Sequence, residues 1–96
     1  MMEENVGNQL GNFRVEFVPN DKAPMIYTNN IQVNAGTFDV NLGLGIIRKA
    51  EAGVLTVEEQ ARVYMSPQLA KVFLGALTQV VTEFERVIGP IALPEP

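Results

Sequence analysis

The chain contains no cysteine and no histidine. Without cysteine there is no disulfide, no thiolate metal site and no thiol nucleophile, and without histidine the usual general base of covalent catalysis is missing. Basic residues are scarce as well. Seven Lys and Arg stand against eleven Asp and Glu, for a net charge of −4. They are scattered as Arg14, Lys22, Arg48, Lys49, Arg62, Lys71 and Arg86, with only Arg48-Lys49 adjacent. A phosphate backbone needs clustered cations, so nucleic acid is not an expected partner. No apolar run reaches the ~18 residues of a membrane-spanning helix. Met1-Met2-Glu3-Glu4-Asn5 has neither the basic nor the apolar region of a signal peptide. These absences lead us to expect a soluble, cytoplasmic protein with no membrane partner and no cofactor.

What is present is strand alternation and one strong helix. Ninety-six residues make a single domain. At this size only about 60–65% of the unfolded surface is buried on folding, so the core is thin. Residues 1–11 are polar, contain Gly7 and Gly11, and are expected to form a flexible N-terminal tail. Residues 12–90 are expected to form the domain, and Ile91-Ala92-Leu93-Pro94-Glu95-Pro96 an extended C-terminal tail.

Phe13, Val15 and Phe17 alternate with Arg14 and Glu16, which reads as a strand over 12–18. Pro19-Asn20-Asp21-Lys22 is a turn. Between Tyr27 and Gly45 the pattern describes a hairpin. Tyr27, Ile31 and Val33 are apolar on one arm, and Phe38, Val40, Leu42 and Leu44 on the other. A two-residue or four-residue loop around Ala35-Gly36 sets Val33 opposite Phe38 and Ile31 opposite Val40, with every apolar side chain on one face. Gly43 and Gly45 leave the other face bare, which suggests a bulge, a bend or a close backbone neighbour.

Arg48-Lys49-Ala50-Glu51-Ala52 has helical propensity but is too short to hold alone, so 46–57 reads as a connection turning at Gly53. Leu55, Val57, Ala61, Val63 and Met65 then share the apolar parity of a last strand, with Glu59 as the exception. A carboxylate at such a position belongs to a strand end or a bulge, or else it is buried with a raised pKa. Ser66 supplies an N-cap acceptor and Pro67 occupies the first helical position. The helix stops at Gly89-Pro90. The expected fold is α+β: a four-stranded antiparallel sheet, with strands at 12–18, 26–34, 37–46 and 55–65, packed on one long C-terminal helix at 67–88.

Two surfaces are candidates for function. At 100° per residue the helix carries an apolar stripe about 160° wide, whereas packing on one sheet needs only about 100°. Leu74, Val81 and Ile88 on one shoulder, and Val72 on the other, have no obvious partner within one short chain. They are the candidate interface of a homo-oligomer, a dimer or tetramer. The second surface is the polar sheet face of Asn30, Gln32, Asp39 and Asn41. It is suited to hydrogen bonding a small ligand or an ion around Asp39, although one carboxylate is poor provision for Mg²⁺ or Ca²⁺. Glu58-Glu59 point to opposite strand faces and cannot share a proton. Gly43-Leu44-Gly45 lacks the Lys-Ser/Thr of a phosphate loop. No catalytic residue and no metal ligand set emerges, and the expectation is a non-enzymatic domain.

Three segments carry a resemblance: Tyr27-Thr28-Asn29, then Asp39-Val40-Asn41-Leu42-Gly43-Leu44-Gly45, then Arg62-Val63-Tyr64-Met65-Ser66-Pro67-Gln68-Leu69-Ala70-Lys71. The chain resembles, over about residues 13–88, a family of small bacterial proteins described only as a domain of unknown function. Its members pair a Tyr-x-Asn strand with an acidic-aliphatic strand ending in Gly, then step through aliphatic-Met-Ser/Thr-Pro into a helix with Ala and Lys in its first turns. The resemblance implies no catalytic residues. In layout the chain is also similar to the bacterial export chaperone that works as a tetramer, which would imply a chaperone-like or scaffolding role; shared layout alone does not establish shared function.

Overall fold

In a computed structural model the described residues are 9–10 and 13–94. The elements are β1 (Gln9–Leu10), β2 (Phe13–Arg14), β3 (Asn30–Ala35), β4 (Val40–Glu51), β5 (Val54–Met65) and α1 (Pro67–Val87). The fold is α+β with an antiparallel sheet. Pro19–Ala70 form one compact unit, and the described residues up to Val18 with those from Lys71 onward form the other. Apart from Gln9–Leu10, the expected N-terminal tail lies outside the described residues, as do Glu95 and Pro96.

The main sheet has three strands, in the order β3-β4-β5, and not the four expected. The stretch read as a first strand contributes only Phe13–Arg14, which pairs antiparallel with Gln9–Leu10. Alternation shows that a segment can present two faces. It does not supply a neighbour, and Val15 to Val18 find none in the sheet.

The β3–β4 hairpin differs from the expected register. Val33 faces Leu42, Ile31 faces Leu44 and Ala35 faces Val40. The pairing is displaced by an even step, so the apolar residues still share one face. Phe38 does not pair with Val33. It lies in the connecting loop at 36–39, where the Gly36 N–H donates to the Asp39 carbonyl at 2.8 Å. The loop takes Phe38 despite its apolar side chain, and Phe38 is 86% exposed there.

The largest difference lies at 46–57. The turn at Gly53 forms as read, but the residues on either side of it are strand and not a connection. β4 runs on to Glu51 and β5 starts at Val54, so the two strands make a hairpin of twelve residues a side. Ala52 and Gly53 turn it with φ of 52° and 76°. Positive φ at both central residues matches a type I′ turn, which follows the strand twist. Cross-strand pairing overrides the weak helical propensity of five residues.

Two irregularities interrupt this hairpin, between Leu44 and Gly45 and between Ile47 and Lys49. In the first, Ala61 faces Leu44 and Glu59 faces Gly45, so Gln60 is the extra residue of a bulge in β5. In the second, Arg48 is the extra residue in β4. Leu55 and Val57 therefore do not share a face with Ala61, Val63 and Met65 as the simple parity implied; the Gln60 bulge reverses the alternation between them.

The helix forms as read. The Leu69 N–H donates to Ser66 Oγ at 3.1 Å, Pro67 opens the first turn, and Gly89 ends the helix at φ 135°. The Ile91 N–H donates to the Glu85 carboxylate at 3.0 Å. No residue of α1 is buried. Among the described residues no apolar side chain is buried at all, and the one buried position is Gly45. The half-buried residues concentrate on the central strand, from Val40 to Ile47.

Candidate functional site

The polar sheet face is assembled by register. Asn30, Gln32 and Asn34 on β3 stand opposite Gly45, Gly43 and Asn41 on β4. Arg62 and Tyr64 on β5 stand opposite Gly43 and Asn41. Three of the four residues expected on this face, Asn30, Gln32 and Asn41, are therefore on it. Asp39 is not opposite Gln32, which faces Gly43. Asp39 lies in the 36–39 loop, with its Oδ1 3.4 Å from where a Cβ on Gly36 would be.

Glu59 takes the place that Asp39 was expected to fill. The bulge turns it onto the polar face, where its Oε2 is 4.0 Å from the Cβ position of Gly43. There it meets Arg62 in a two-point contact, Nε to Oε1 at 3.0 Å and a second guanidinium nitrogen to Oε2 at 2.8 Å. Both side chains are nearly half exposed, so Glu59 is not a buried acid. The Arg62 hydrogen bonds hold the Glu59 carboxyl below its ordinary 4.5, against a smaller opposing effect of desolvation. Arg62 is pushed up in turn, first by Glu59 and then by Tyr64.

Alternation missed Glu59, Arg62 and Tyr64 as one cluster because it assumed an unbroken strand. The signal available was Glu59 itself, a charged residue on an apolar parity.

Gly45 makes this arrangement sterically feasible. A Cβ there would lie 2.3 Å from Val57 Cγ1 and 3.2 Å from the Glu58 carbonyl oxygen. Glycine is needed for close approach, as the bare Gly43-Leu44-Gly45 face suggested, and not for phosphate binding. The same carbonyl face of β4 is closed by the Tyr27-Thr28-Asn29 segment. The Gly45 carbonyl accepts from Thr28 Oγ1 at 2.7 Å and from the Asn29 N–H at 3.1 Å. The Ile47 N–H donates to Asn29 Oδ1 at 2.8 Å. Where β3 has no further residue to pair with β4, the side chains of Thr28 and Asn29 supply the missing partners.

The depression on this face, lined by Asn30, Gln32, Gly43, Leu44, Gly45, Val57 and Glu59, has a volume of about 70 Å³. That admits a few waters, whereas small-molecule sites run to roughly 300–1,000 Å³. Asn41 Oδ1 is buried without a hydrogen-bond partner. Among the described residues no three His, Cys, Asp or Glu come together as metal ligands.

The helix surface is different in kind. Its expected interface residues Val72, Leu74, Val81 and Ile88 are 41%, 66%, 38% and 68% exposed. In the centre of the stripe Phe73, Leu77 and Phe84 are 41%, 46% and 40% exposed, and Ala76 and Val80 are half-buried. Thr78 Oγ1 donates to the Leu74 carbonyl at 2.8 Å, and Arg86 pairs with Glu83 on the polar side. Among the described residues no helix is long and apolar enough to cross a membrane.

The family profile described as Protein of unknown function (DUF3467) matches residues 1–93. The chain belongs to this family. No curated protein and no solved structure matches it. In this DUF3467 member the resemblance segments have structural roles: Asn29 partners β4, Gly45 admits Val57, and Ser66-Pro67 starts the helix.

Proposed function

We propose that this chain works as a non-enzymatic, cytoplasmic, self-associating domain, a dimer or tetramer, that acts through protein contacts in a scaffolding or chaperone-like role. The observation that supports it most is the absence of any buried apolar side chain among the described residues. Marginal stability at this chain length requires apolar burial, and a second copy supplies it. Phe73, Leu77 and Phe84 in the stripe are exposed as well as the shoulders, so the surface available for association exceeds the four residues Val72, Leu74, Val81 and Ile88.

Light scattering on the full chain at micromolar concentration tests the proposal. Assemblies of two or four chains are expected, and a lone 10.5 kDa species overturns it. Leu74→Glu or Val81→Glu places a charge on the stripe and is expected to dissociate the assembly.

The competing reading is a small-molecule or ion-binding module around Asp39. It loses ground because Asp39 is in the hairpin loop and the depression beside Asn30 and Gln32 is small. A stabilising thermal shift with Mg²⁺, Ca²⁺ or a metabolite, abolished by Asp39→Ala, would restore it.

A further inference from the structure

We propose that β5 is a seam between two copies. Its outer edge, which no strand flanks among the described residues, pairs antiparallel with the β5 edge of a second copy, in the register that sets Glu59 opposite the partner's Arg62 and Arg62 opposite the partner's Glu59. The inference rests on the self-association reading and names the surface that reading leaves open.

β5 is an edge strand of the three-stranded sheet. It runs for twelve residues and contains no proline. An edge of that length presents a row of unpaired N–H and C=O groups, which natural proteins cover or disrupt. The opposite edge, β3, is half as long, at six residues. Joining β5 to β3 of another copy leaves a β5 and a β3 free at the two ends and generates an open chain of subunits unless its rotation closes a ring. Joining β5 to β5 uses the same patch twice and closes as a two-fold dimer.

The Gln60 bulge selects the register. Val57 lies against Gly45, and Glu59 beside Gly43, on the polar face. Arg62 reaches that same Glu59, and Tyr64 follows Arg62 at the strand spacing of two. So polar-face residues are odd-numbered before the bulge and even-numbered after it. In a two-fold antiparallel pair, the first half of one β5 meets the second half of the other, and opposite residues must share a face.

Only pairings of an odd residue with an even one meet that condition across both halves. The proposed register does so, and it also sets Val57 opposite the partner's Tyr64, an aromatic to β-branched pair of the kind that stabilises sheets. Sliding two residues along sets Arg62 opposite the partner's Val57 and Glu59 opposite the partner's Gln60, which leaves each charge only its partner within the chain. In the proposed register two anions and two cations alternate around the axis. Glu58, on the other face, is already neutralised by Arg48 at 3.0 Å.

The test uses full-length chains. Glu59→Arg gives a seam with cations only, and Arg62→Glu a seam with anions only. Each variant alone is expected to raise the dissociation constant of the pair about tenfold or more, measured by sedimentation. An equimolar mixture should return it to the parent value, because each cationic seam then meets an anionic one. A pair acting only within one chain gives no rescue on mixing. Failure of rescue, or variants that associate like the parent while the parent assembles, overturns the seam and leaves self-association standing. A monomeric parent overturns both.

Folding of the charge variants need not be assumed, because the chain has no cysteine of its own. Glu58→Cys in one chain and Val63→Cys in another would be directly opposite. Cα atoms of such pairs lie about 4.5–5.5 Å apart, within disulfide reach. Oxidation of the mixture should give the cross-linked heterodimer faster than either chain gives its own dimer. An assembled mixture without that preference overturns the register.

Discussion

The two ends of the β4–β5 hairpin contain similar residues and distribute them differently between the two faces. At the open end, Leu42 and Leu44 sit across from Val63 and Ala61, and the polar side carries Asn41, Arg62 and Tyr64. At the turn end, Ile47 faces Val57 and Ala50 faces Leu55, on the side that continues the polar face. The change happens at Gly45 and Glu59, where the strand gains Gln60. A bulge is often regarded as a local kink. Here it decides which side chains are neighbours over half a hairpin, and it brings Glu59 to Arg62.

The difference between the ends can be broken at several points. Replacing Gly45 should have the largest effect. Gly45→Ala drives a Cβ into Val57 and the Glu58 backbone, and overpacking of this kind costs about 1–3 kcal/mol. Urea unfolding of the double variant with Val57→Ala should recover a substantial part of the loss, because the nearer clash is with a side chain.

Next comes Asn29→Ala, which leaves the Ile47 N–H without its acceptor and should cost about 1 kcal/mol by the same measurement. Asn29→Asp should cost less, since an acceptor remains.

Ala52→Asn is expected to stabilise by roughly 0.5 kcal/mol, because Asn tolerates the left-handed conformation that Ala52 is forced to adopt. A rise in the unfolding midpoint would confirm it, and no change would mean that the turn does not limit the hairpin.

The smallest effect is that of acid. Glu58, Glu59 and Glu83 all titrate below their ordinary 4.5, held first by hydrogen bonds from Arg48, Arg62 and Arg86 respectively. A depressed folded-state pKa stabilises fully above the unfolded value and ceases to do so as pH falls through the folded one. Stability should therefore be flat near neutrality and decline slightly below about pH 4.5, most visibly at low salt because the pairs are exposed. Glu59→Gln should flatten part of that decline.

Some of this was readable from residues alone. The helix was, at both ends, because Ser66-Pro67 and Gly89-Pro90 act locally and need no partner to exert their effect. Asn30, Gln32 and Asn41 were readable as one face because β3 and the first half of β4 alternate without interruption. The rest depends on distant neighbours. Arg48 to Ala52 have helical propensity among themselves, and only the strand that follows makes Arg48 to Glu51 extended and Ala52 a turn. Phe38 looks like a strand residue until the four-residue loop is known. Val15 and Phe17 alternate well but have no strand in the sheet to pair with. Glu59 could be assigned to a face only by placing Gln60 as the extra residue, and no local propensity specifies that.

The Asn29 side chain has a consequence for measurement. The Ile47 N–H is on the side of β4 past the end of the β3 pairing, so its slow exchange with deuterium would depend on a single carboxamide oxygen. Uptake at that one site, followed by NMR, becomes a gauge of whether the corner before β3 is shut, read against the amides on either side that β5 protects.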